Sequence, residues 1–192
     1  IDLQNDFCPG GALAVQDGEQ TIAVANAWMD KFDCVIATQD WHPAEHQSFA
    51  TQHPGRQPGQ VIDLHGLPQV LWPVHCVAGT AGADFHPKLR RDQITCVFVK
   101  GTDATVDSYS GFFDNGRRRA TGLHDYLTTR GIDSLVVMGL ATDYCVKFSV
   151  LDALSLGLAV TVVADGCRAV NLAPGDGDAA LAAMRAAGAT IV

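Results

Sequence analysis

A carboxylate, an ammonium group and a thiol stand at or just after the ends of three separate apolar segments: Asp2, Lys100 and Cys145. Short apolar segments rich in β-branched residues are typical of buried parallel strands. The carboxyl ends of such strands meet at one edge of the sheet, where ligands bind. We therefore expect these three side chains to lie together. A carboxylate that can take a thiol proton, beside an ammonium group that keeps it ionised, suits nucleophilic catalysis by cysteine.

Cys145 falls in the first turn of a predicted helix over residues 142–156. The positive end of a helix favours an anion, so we expect the pKa of this thiol to be lowered. The backbone N–H groups of the same turn could hold an oxyanion. Two structural alternatives remain. Cys145 could be an ordinary core residue, and Asp2 and Lys100 could form an ion pair that only closes the sheet edge.

Asp40 and His42 follow a second apolar segment and point to the same side of an extended chain. His46 and His75 follow within the Pro-rich segment 41–93. One carboxylate with up to three imidazoles suits zinc, iron or manganese. Solvated loop residues are the alternative. We expect one divalent transition metal here, with zinc as the first choice.

The elements that position these residues alternate between strand and helix along the chain. We expect strands at 1–3, 35–37, 97–99, 135–138, 160–163 and 190–192, and helices at 19–31, 122–130, 142–156 and 177–187. Such alternation predicts a doubly wound α/β fold, with a mainly parallel sheet and helices on both faces. Segment 41–93 is too long for an ordinary connection, and such long loops are usually functional. The length predicts one domain over residues 1–192, with 41–93 as an insert.

Composition excludes several classes of partner. The 192 residues include 13 Lys and Arg against 21 Asp and Glu, a net charge of −8. This balance argues against binding to nucleic acid or to an anionic membrane. No apolar run approaches the roughly 18 residues of a membrane span. The six cysteines are irregularly spaced, which favours a reducing cytosol. Because the chain opens inside an expected strand, we also expect a short segment to precede Ile1.

Five segments carry a family resemblance: Ile1–Phe7, Asp40–Pro43, Trp72–Val77, Val99–Gly101 and Gly139–Val146. In this order they resemble nicotinamidases, which also act as pyrazinamidases, of the isochorismatase-like hydrolase superfamily. The resemblance extends over essentially the whole chain. The segments with Asp40 and His75 distinguish nicotinamidases from the rest of the superfamily.

The resemblance implies hydrolysis of nicotinamide to nicotinate and ammonia for NAD salvage, through a cysteine thioester, and activity on pyrazinamide. It implies a catalytic triad of Asp2, Lys100 and Cys145, and metal ligands at Asp40, His42 and His75, with His46 as a fourth ligand in some members. The metal would bind the pyridine nitrogen.

The resemblance also implies how the substrate is held. A cis peptide is expected at Leu140–Ala141, and the oxyanion would be held by the N–H groups of Ala141 and Cys145. Phe7 and Trp72 would flank the pyridine ring, with Tyr109 lining the pocket. Ordinary core packing is the alternative for these three aromatic residues.

Other interpretations remain at this point. Another isochorismatase-like hydrolase, such as an isochorismatase or a carbamoyl amidase, would lack the metal set. A non-catalytic thiol or metal sensor would leave Asp2 and Lys100 without a role. A dinucleotide-binding protein is disfavoured because no Gly-x-Gly-x-x-Gly follows the first strand. The expected partner is the small molecule nicotinamide, bound by a monomer or a homodimer.

Overall fold

The computed structural model describes residues 1–192 and contains seven strands and four α-helices. The strands are β1 (Ile36–Asp40), β2 (Val61–Leu64), β3 (Leu67–Val70), β4 (Cys96–Lys100), β5 (Ser134–Leu140), β6 (Ala159–Arg168) and β7 (Thr190–Ile191). The helices are α1 (Gln20–Met29), α2 (Leu123–Thr129), α3 (Lys147–Ser155) and α4 (Asp176–Ala186). All four predicted helices are confirmed, as are all the predicted strands except the one at 1–3. None of the helices combines the length and the apolar character that crossing a bilayer requires.

The parallel strands form two sheets, β1–β4 and β5–β6–β7, and the predicted α/β class is confirmed. In the first sheet, Asp40 pairs with Lys100 at the carboxyl ends of β1 and β4. This register brings a carboxylate beside an ammonium group. The antiparallel hairpin β2–β3 lies inside the insert 41–93 and was not predicted, because its four-residue strands are interrupted by polar residues and a proline.

The N-terminal residues run between the two sheets without forming a regular strand. The backbone nitrogen of Ile1 donates to the Met138 carbonyl at 2.8 Å, and the Leu140 N–H donates to the Ile1 carbonyl at 3.0 Å. Gly139 lies between these contacts, where a Cβ atom would stand 2.0 Å from the Ile1 oxygen. Glycine at this position therefore allows the close backbone approach that places Asp2. Beside it, an apolar cavity of about 340 Å³ separates β1 from β5.

Two apolar cores pack against the segment that carries Cys145. Leu140 and Ala141 belong to a core of 13 buried residues that includes α1 side chains. Val146 and Val150 belong to a second core of 12 buried residues around α2, α3 and β6. The turn with Cys145 is thus anchored at both of its ends.

The side chain of Gln4 fixes the end of β1. Its Oε1 accepts the Asp40 N–H at 2.8 Å, and its Nε2 donates to the carbonyl oxygens of Asp40 and Ala83, both at 2.8 Å. Gln4 is fully buried. Its amide therefore takes the place of a peptide group beside β1 and sets the position of the Asp40 carboxylate.

We expect Gln4→Met to lower the free energy of unfolding by about 2–4 kcal/mol, because it removes the hydrogen bonds that the Gln4 amide makes to the buried N–H and carbonyl groups of Asp40. The matched control is Gln52→Met, at an exposed glutamine whose side chain makes no hydrogen bond. Urea denaturation, followed by circular dichroism, measures the free energy of unfolding of both variants. Equal stability of the two variants would contradict this role of Gln4.

Candidate active site

The ammonium group of Lys100 is the centre of the site. Its Nζ lies 2.8 Å from Asp2 Oδ2, 3.0 Å from the Ser108 carbonyl oxygen and 3.3 Å from Cys145 Sγ, and it also donates to Asp40 Oδ1. Lys100 is 2% exposed. Three of these contacts, to Asp40, Ser108 and Cys145, are hydrogen bonds and use the three protons of the ammonium group, whereas Asp2 Oδ2 is in ion-pair contact only. Asp2, Lys100 and Cys145 therefore lie together at one edge of the sheets, as the sequence predicts.

Asp2 is positioned to act on the thiol. Its Oδ1 accepts from the Thr38 hydroxyl at 2.6 Å. A carboxylate oxygen of Asp2 lies within 4.8 Å of Cys145 Sγ. Burial raises the pKa of Asp2, and the attraction of Lys100 offsets this only in part. A carboxylate with a raised pKa is a stronger base than an exposed one.

Cys145 sits in a π-helical turn, Thr142–Val146, that leads directly into α3. The expectation that the helix end lowers the pKa of this thiol is wrong. Burial raises the pKa of Cys145 well above its ordinary value, and the attraction of Lys100 does not offset it because Asp2 and Asp40 also raise it. The resting group is therefore a neutral thiol, which needs a base before it can attack.

The turn before Cys145 contributes a free backbone donor. The Leu140–Ala141 peptide bond is cis, as the resemblance implies. The Ala141 N–H donates to no protein group, although Ala141 is buried. Ala141 and Cys145 line the same small cavity. This N–H is available to a bound molecule.

Two histidines direct one nitrogen each towards Asp40. The Nδ1 of His42 donates to the Gly101 carbonyl at 2.8 Å, and the Nδ1 of His75 donates to the Pro73 carbonyl at 2.8 Å. Because a carbonyl oxygen only accepts, each Nδ1 carries a proton, and each Nε2 is the nitrogen that can bind a metal when the ring is neutral. The two Nε2 atoms lie 3.6 Å and 4.0 Å from Asp40 Oδ2.

His46 belongs to a neighbouring group. One nitrogen of His46, one nitrogen of His42 and a carboxylate oxygen of Asp107 lie within 4.8 Å of one another. The Nδ1 of His46 is hydrogen-bonded to Ser48, and its Nε2 has no partner although His46 is fully buried. Asp107 accepts from the Ser108 N–H at 2.8 Å and from Gln69 Nε2 at 3.0 Å.

The residues around Asp40 fit a divalent transition metal. Two buried carboxylates, Asp2 and Asp40, face the single ammonium of Lys100, and a further buried positive charge would balance them. Burial raises the pKa of Asp40, but Lys100 and His42 outweigh it, so the pKa lies below its ordinary value. Burial, aided by His42, lowers the pKa of His75 to about 4, which keeps this imidazole neutral. An ionised carboxylate and neutral imidazoles are the ligands that zinc and iron accept.

Aromatic side chains line the small cavity beside Cys145. Phe7, Trp72 and Tyr109, which the resemblance places at the pocket, all line it, and so does Tyr144. Trp72 Nε1 donates to the Tyr109 hydroxyl at 3.2 Å, and its ring meets the Tyr144 ring edge to face at 4.8 Å. The cavity is small, about 30 Å³.

Comparison with known proteins identifies the family. The isochorismatase domain model matches residues 1–192. The chain belongs to the isochorismatase family. Within it, the Escherichia coli nicotinamidase is 57% identical over 195 aligned residues, which cover 100% of this chain and 91% of that protein.

Two solved structures of this family are also similar. The nicotinamidase/pyrazinamidase of Acinetobacter baumannii is 43% identical with a TM-score of 0.96, over 100% of this chain and 92% of that one. The pyrazinamidase of Pyrococcus horikoshii, solved in complex with zinc, is 34% identical with a TM-score of 0.80, over 100% and 94%.

The sequence did not single out several site contacts of this isochorismatase-family chain. Thr38 bonds to Asp2, Ser108 accepts from Lys100, and Asp107 lies beside the histidines. A signal existed for Thr38, since it stands two residues before Asp40 in β1 and so faces the same side. The Ser108 contact uses a backbone carbonyl, which no residue pattern reveals.

We expect Lys100→Met to lower the free energy of unfolding by about 3–5 kcal/mol, because it leaves Asp2 and Asp40 buried without a counter-charge. The control is Lys88→Met, which breaks an exposed pair with Glu19 at 3.7 Å. Exposed ion pairs contribute little to stability, so the free energy of unfolding of this variant should equal that of the unmodified protein. Similar losses in both variants, measured by urea denaturation at neutral pH, would rule out the proposed charge cluster.

Proposed function

We propose that this chain hydrolyses nicotinamide to nicotinate and ammonia for NAD salvage, and that it also accepts pyrazinamide. One observation carries the proposal: the Lys100 ammonium contacts the Asp2 carboxylate at 2.8 Å and the Cys145 sulfur at 3.3 Å in a buried site. The names of the relatives supply the substrate class. The site supplies a base, a nucleophile and a free backbone N–H.

The first half of the reaction forms a thioester. Asp2 takes the thiol proton as the sulfur of Cys145 attacks the carboxamide carbon. Lys100 stabilises the negative charge that develops on the sulfur. The oxyanion of the tetrahedral intermediate accepts from the N–H groups of Ala141 and Cys145. When the carbon–nitrogen bond breaks, Asp2 returns its proton to the nitrogen, and ammonia leaves.

The second half releases the acid. Asp2, again ionised, takes a proton from water as the oxygen attacks the thioester carbon. The carbon–sulfur bond breaks, and the proton on Asp2 returns to the sulfur of Cys145. The product leaves as the carboxylic acid and loses its proton to the solvent to become nicotinate, and the resting thiol is restored. Lys100 stays protonated throughout and keeps Asp2 in place.

We further propose that Asp40, His42 and His75 hold one divalent metal, zinc first and iron or manganese as alternatives. The free Nε2 atoms beside Asp40 Oδ2 support this set, and a zinc-bound relative supports the choice of zinc. When bound, the metal would accept an electron pair from the pyridine nitrogen. Phe7 and Trp72 then hold the ring from its two sides, and Tyr109 closes the pocket.

A non-catalytic thiol sensor is disfavoured by the state of Cys145. Sensor cysteines are exposed and have a low pKa. Cys145 is 7% exposed, and burial raises its pKa. An isochorismatase or a carbamoyl amidase would leave the histidine cluster without a role.

We also propose that residues 1–192 work as one hydrolase domain whose insert, 41–93, carries the metal ligands. Asp6 Oδ2 supports this because it accepts the Cys76 N–H at 2.7 Å and so ties the insert to the N-terminal segment. Every proposed site residue comes from one chain, so a monomer or a homodimer suffices. The six free thiols are compatible with a reducing cytosol.

We expect Cys145→Ala to reduce ammonia release from nicotinamide to about a thousandth or less, because no other group can form the thioester. Asp2→Asn should lower kcat by about 10²–10⁴, since a base is lost. The control is Cys96→Ala, at a half-buried cysteine at the opposite end of β4 from Lys100. Full activity in Cys145→Ala would exclude nucleophilic catalysis by this residue.

We expect His75→Gln to weaken zinc binding more than about 100-fold, because a direct ligand is lost rather than a supporting contact. The control is His65→Gln, at an exposed histidine of the hairpin turn. Competition with a chromogenic chelator measures both dissociation constants. An unchanged constant in His75→Gln would remove His75 from the ligand set.

A further inference from the structure

The carboxylate of Asp143 has no part in the proposed mechanism, yet it is buried and each of its oxygens accepts a hydrogen bond. Asp143 lies in the π-helical turn Thr142–Val146, two residues before Cys145, and is 3% exposed. Its Oδ1 accepts the Val170 N–H at 2.9 Å, and its Oδ2 accepts the Asn171 N–H at 2.8 Å. The carboxylate therefore ties the turn that carries the nucleophile to a segment distant in the sequence.

That segment belongs to the loop of residues 169–175, which connects β6 to α4. Residues 171–175 are exposed, and the N–H groups of Val170 and Asn171 have no acceptor other than Asp143. The far side of the loop is bound to α4, where the Asn171 side-chain oxygen accepts the Gly177 N–H at 2.9 Å. Asp143 thus supplies the polar contacts that fix the near side of the loop.

The side chain of Val170 forms part of the pocket wall. Val170 lines the small cavity together with Ala141 and Cys145, and it packs against the core to which Ala141 belongs. With Leu13, it is one of the two branched aliphatic residues that line this cavity. A shift of the loop backbone would therefore move an apolar surface of the cavity in which the proposed substrate binds.

We infer that Asp143 is a positioning residue, which fixes the distance between the Val170 side chain and the Cys145 sulfur and so sets the width of the pocket for an aromatic ring. The inference rests on the proposed function, because the ring is that of nicotinamide. Hydrogen bonds from N–H groups to a carboxylate are shorter and stronger than those between neutral groups. Because each oxygen holds a different N–H, the carboxylate fixes the orientation of the loop as well as its distance.

The loss of this anchor should affect binding more than chemistry. The hydrogen bonds of the Asp143 carboxylate go to the loop and not to Asp2, Lys100 or Cys145. A group that acts only through the pocket wall contributes equally to the binding of the substrate and of the transition state, so its removal raises KM and leaves kcat nearly unchanged. A role in stability alone would lower the free energy of unfolding and leave the KM of the folded protein as it is.

The first experiment is steady-state kinetics of the full chain, loaded with zinc, on nicotinamide. We expect Asp143→Asn to raise KM about tenfold and to lower kcat less than about threefold. The control is Asp178→Asn, at an exposed carboxylate in the first turn of α4, which should leave both constants unchanged. An unchanged KM in Asp143→Asn, or a fall in kcat alone, would overturn the inference.

A double-mutant cycle tests whether Asp143 acts through Val170. Val170→Ala alone should raise KM and retain kcat. If the two residues act together, adding Asp143→Asn to Val170→Ala should raise KM less than about threefold, because coupled positions are not additive. The full tenfold increase in the Val170→Ala background, or an unchanged KM in Val170→Ala alone, would overturn the inference.

Amide hydrogen exchange, followed by NMR, provides a readout that needs no turnover. We expect the Val170 and Asn171 amides to exchange slowly in the unmodified protein, although Asn171 is exposed. In Asp143→Asn, at least one of them should exchange more than about tenfold faster, while the Val162 amide inside β6 stays protected. Fast exchange of both amides in the unmodified protein would overturn the inference even where Asp143→Asn fails to fold. A protein that protects these amides but releases no ammonia from nicotinamide would refute the proposed function and leave the anchoring of the loop by Asp143 intact.

Discussion

A single buried ammonium group, that of Lys100, compensates two buried carboxylates, Asp2 and Asp40, and also contacts the Cys145 sulfur. Charges at this depth are stable only when they are paired and fully hydrogen-bonded. The parallel register of β1 and β4, which sets Asp40 opposite Lys100, is therefore a requirement of the site. The same requirement explains why the N-terminal segment is held so closely against β5: it has to bring Asp2 to the same ammonium.

Asp40 connects the two halves of the site. One of its oxygens faces Lys100, and the other faces the Nε2 atoms of His42 and His75. Cys145 and the two histidines thus lie beside one carboxylate, whose position Gln4 fixes through the backbone. In this member of the isochorismatase family, the thiol of Cys145 and the histidine cluster are therefore coupled electrostatically through Asp40.

The sequence predicted the site best where a reactive side chain directly follows an apolar segment. Asp2, Lys100 and Cys145 each follow an apolar segment, and strand ends in a parallel sheet converge, so their meeting was predictable. The direction of the pKa shift of Cys145 was not predictable, because it depends on burial and on two nearby carboxylates that only the structure brings together. The hairpin β2–β3 was not predictable because its strands lack a clear alternation of apolar and polar residues. The backbone carbonyl groups that accept from His42, His75 and Lys100 were not predictable either, because every residue type has one.

The most direct test of the charge cluster is a neutron crystal structure of the resting protein in heavy water at neutral pH. The account predicts three deuterons on Lys100 Nζ, with Asp40 among their acceptors, and a deuteron on the Cys145 sulfur. A neutral Lys100 amine beside a Cys145 thiolate, or a Lys100 side chain turned away from Asp2, would contradict it.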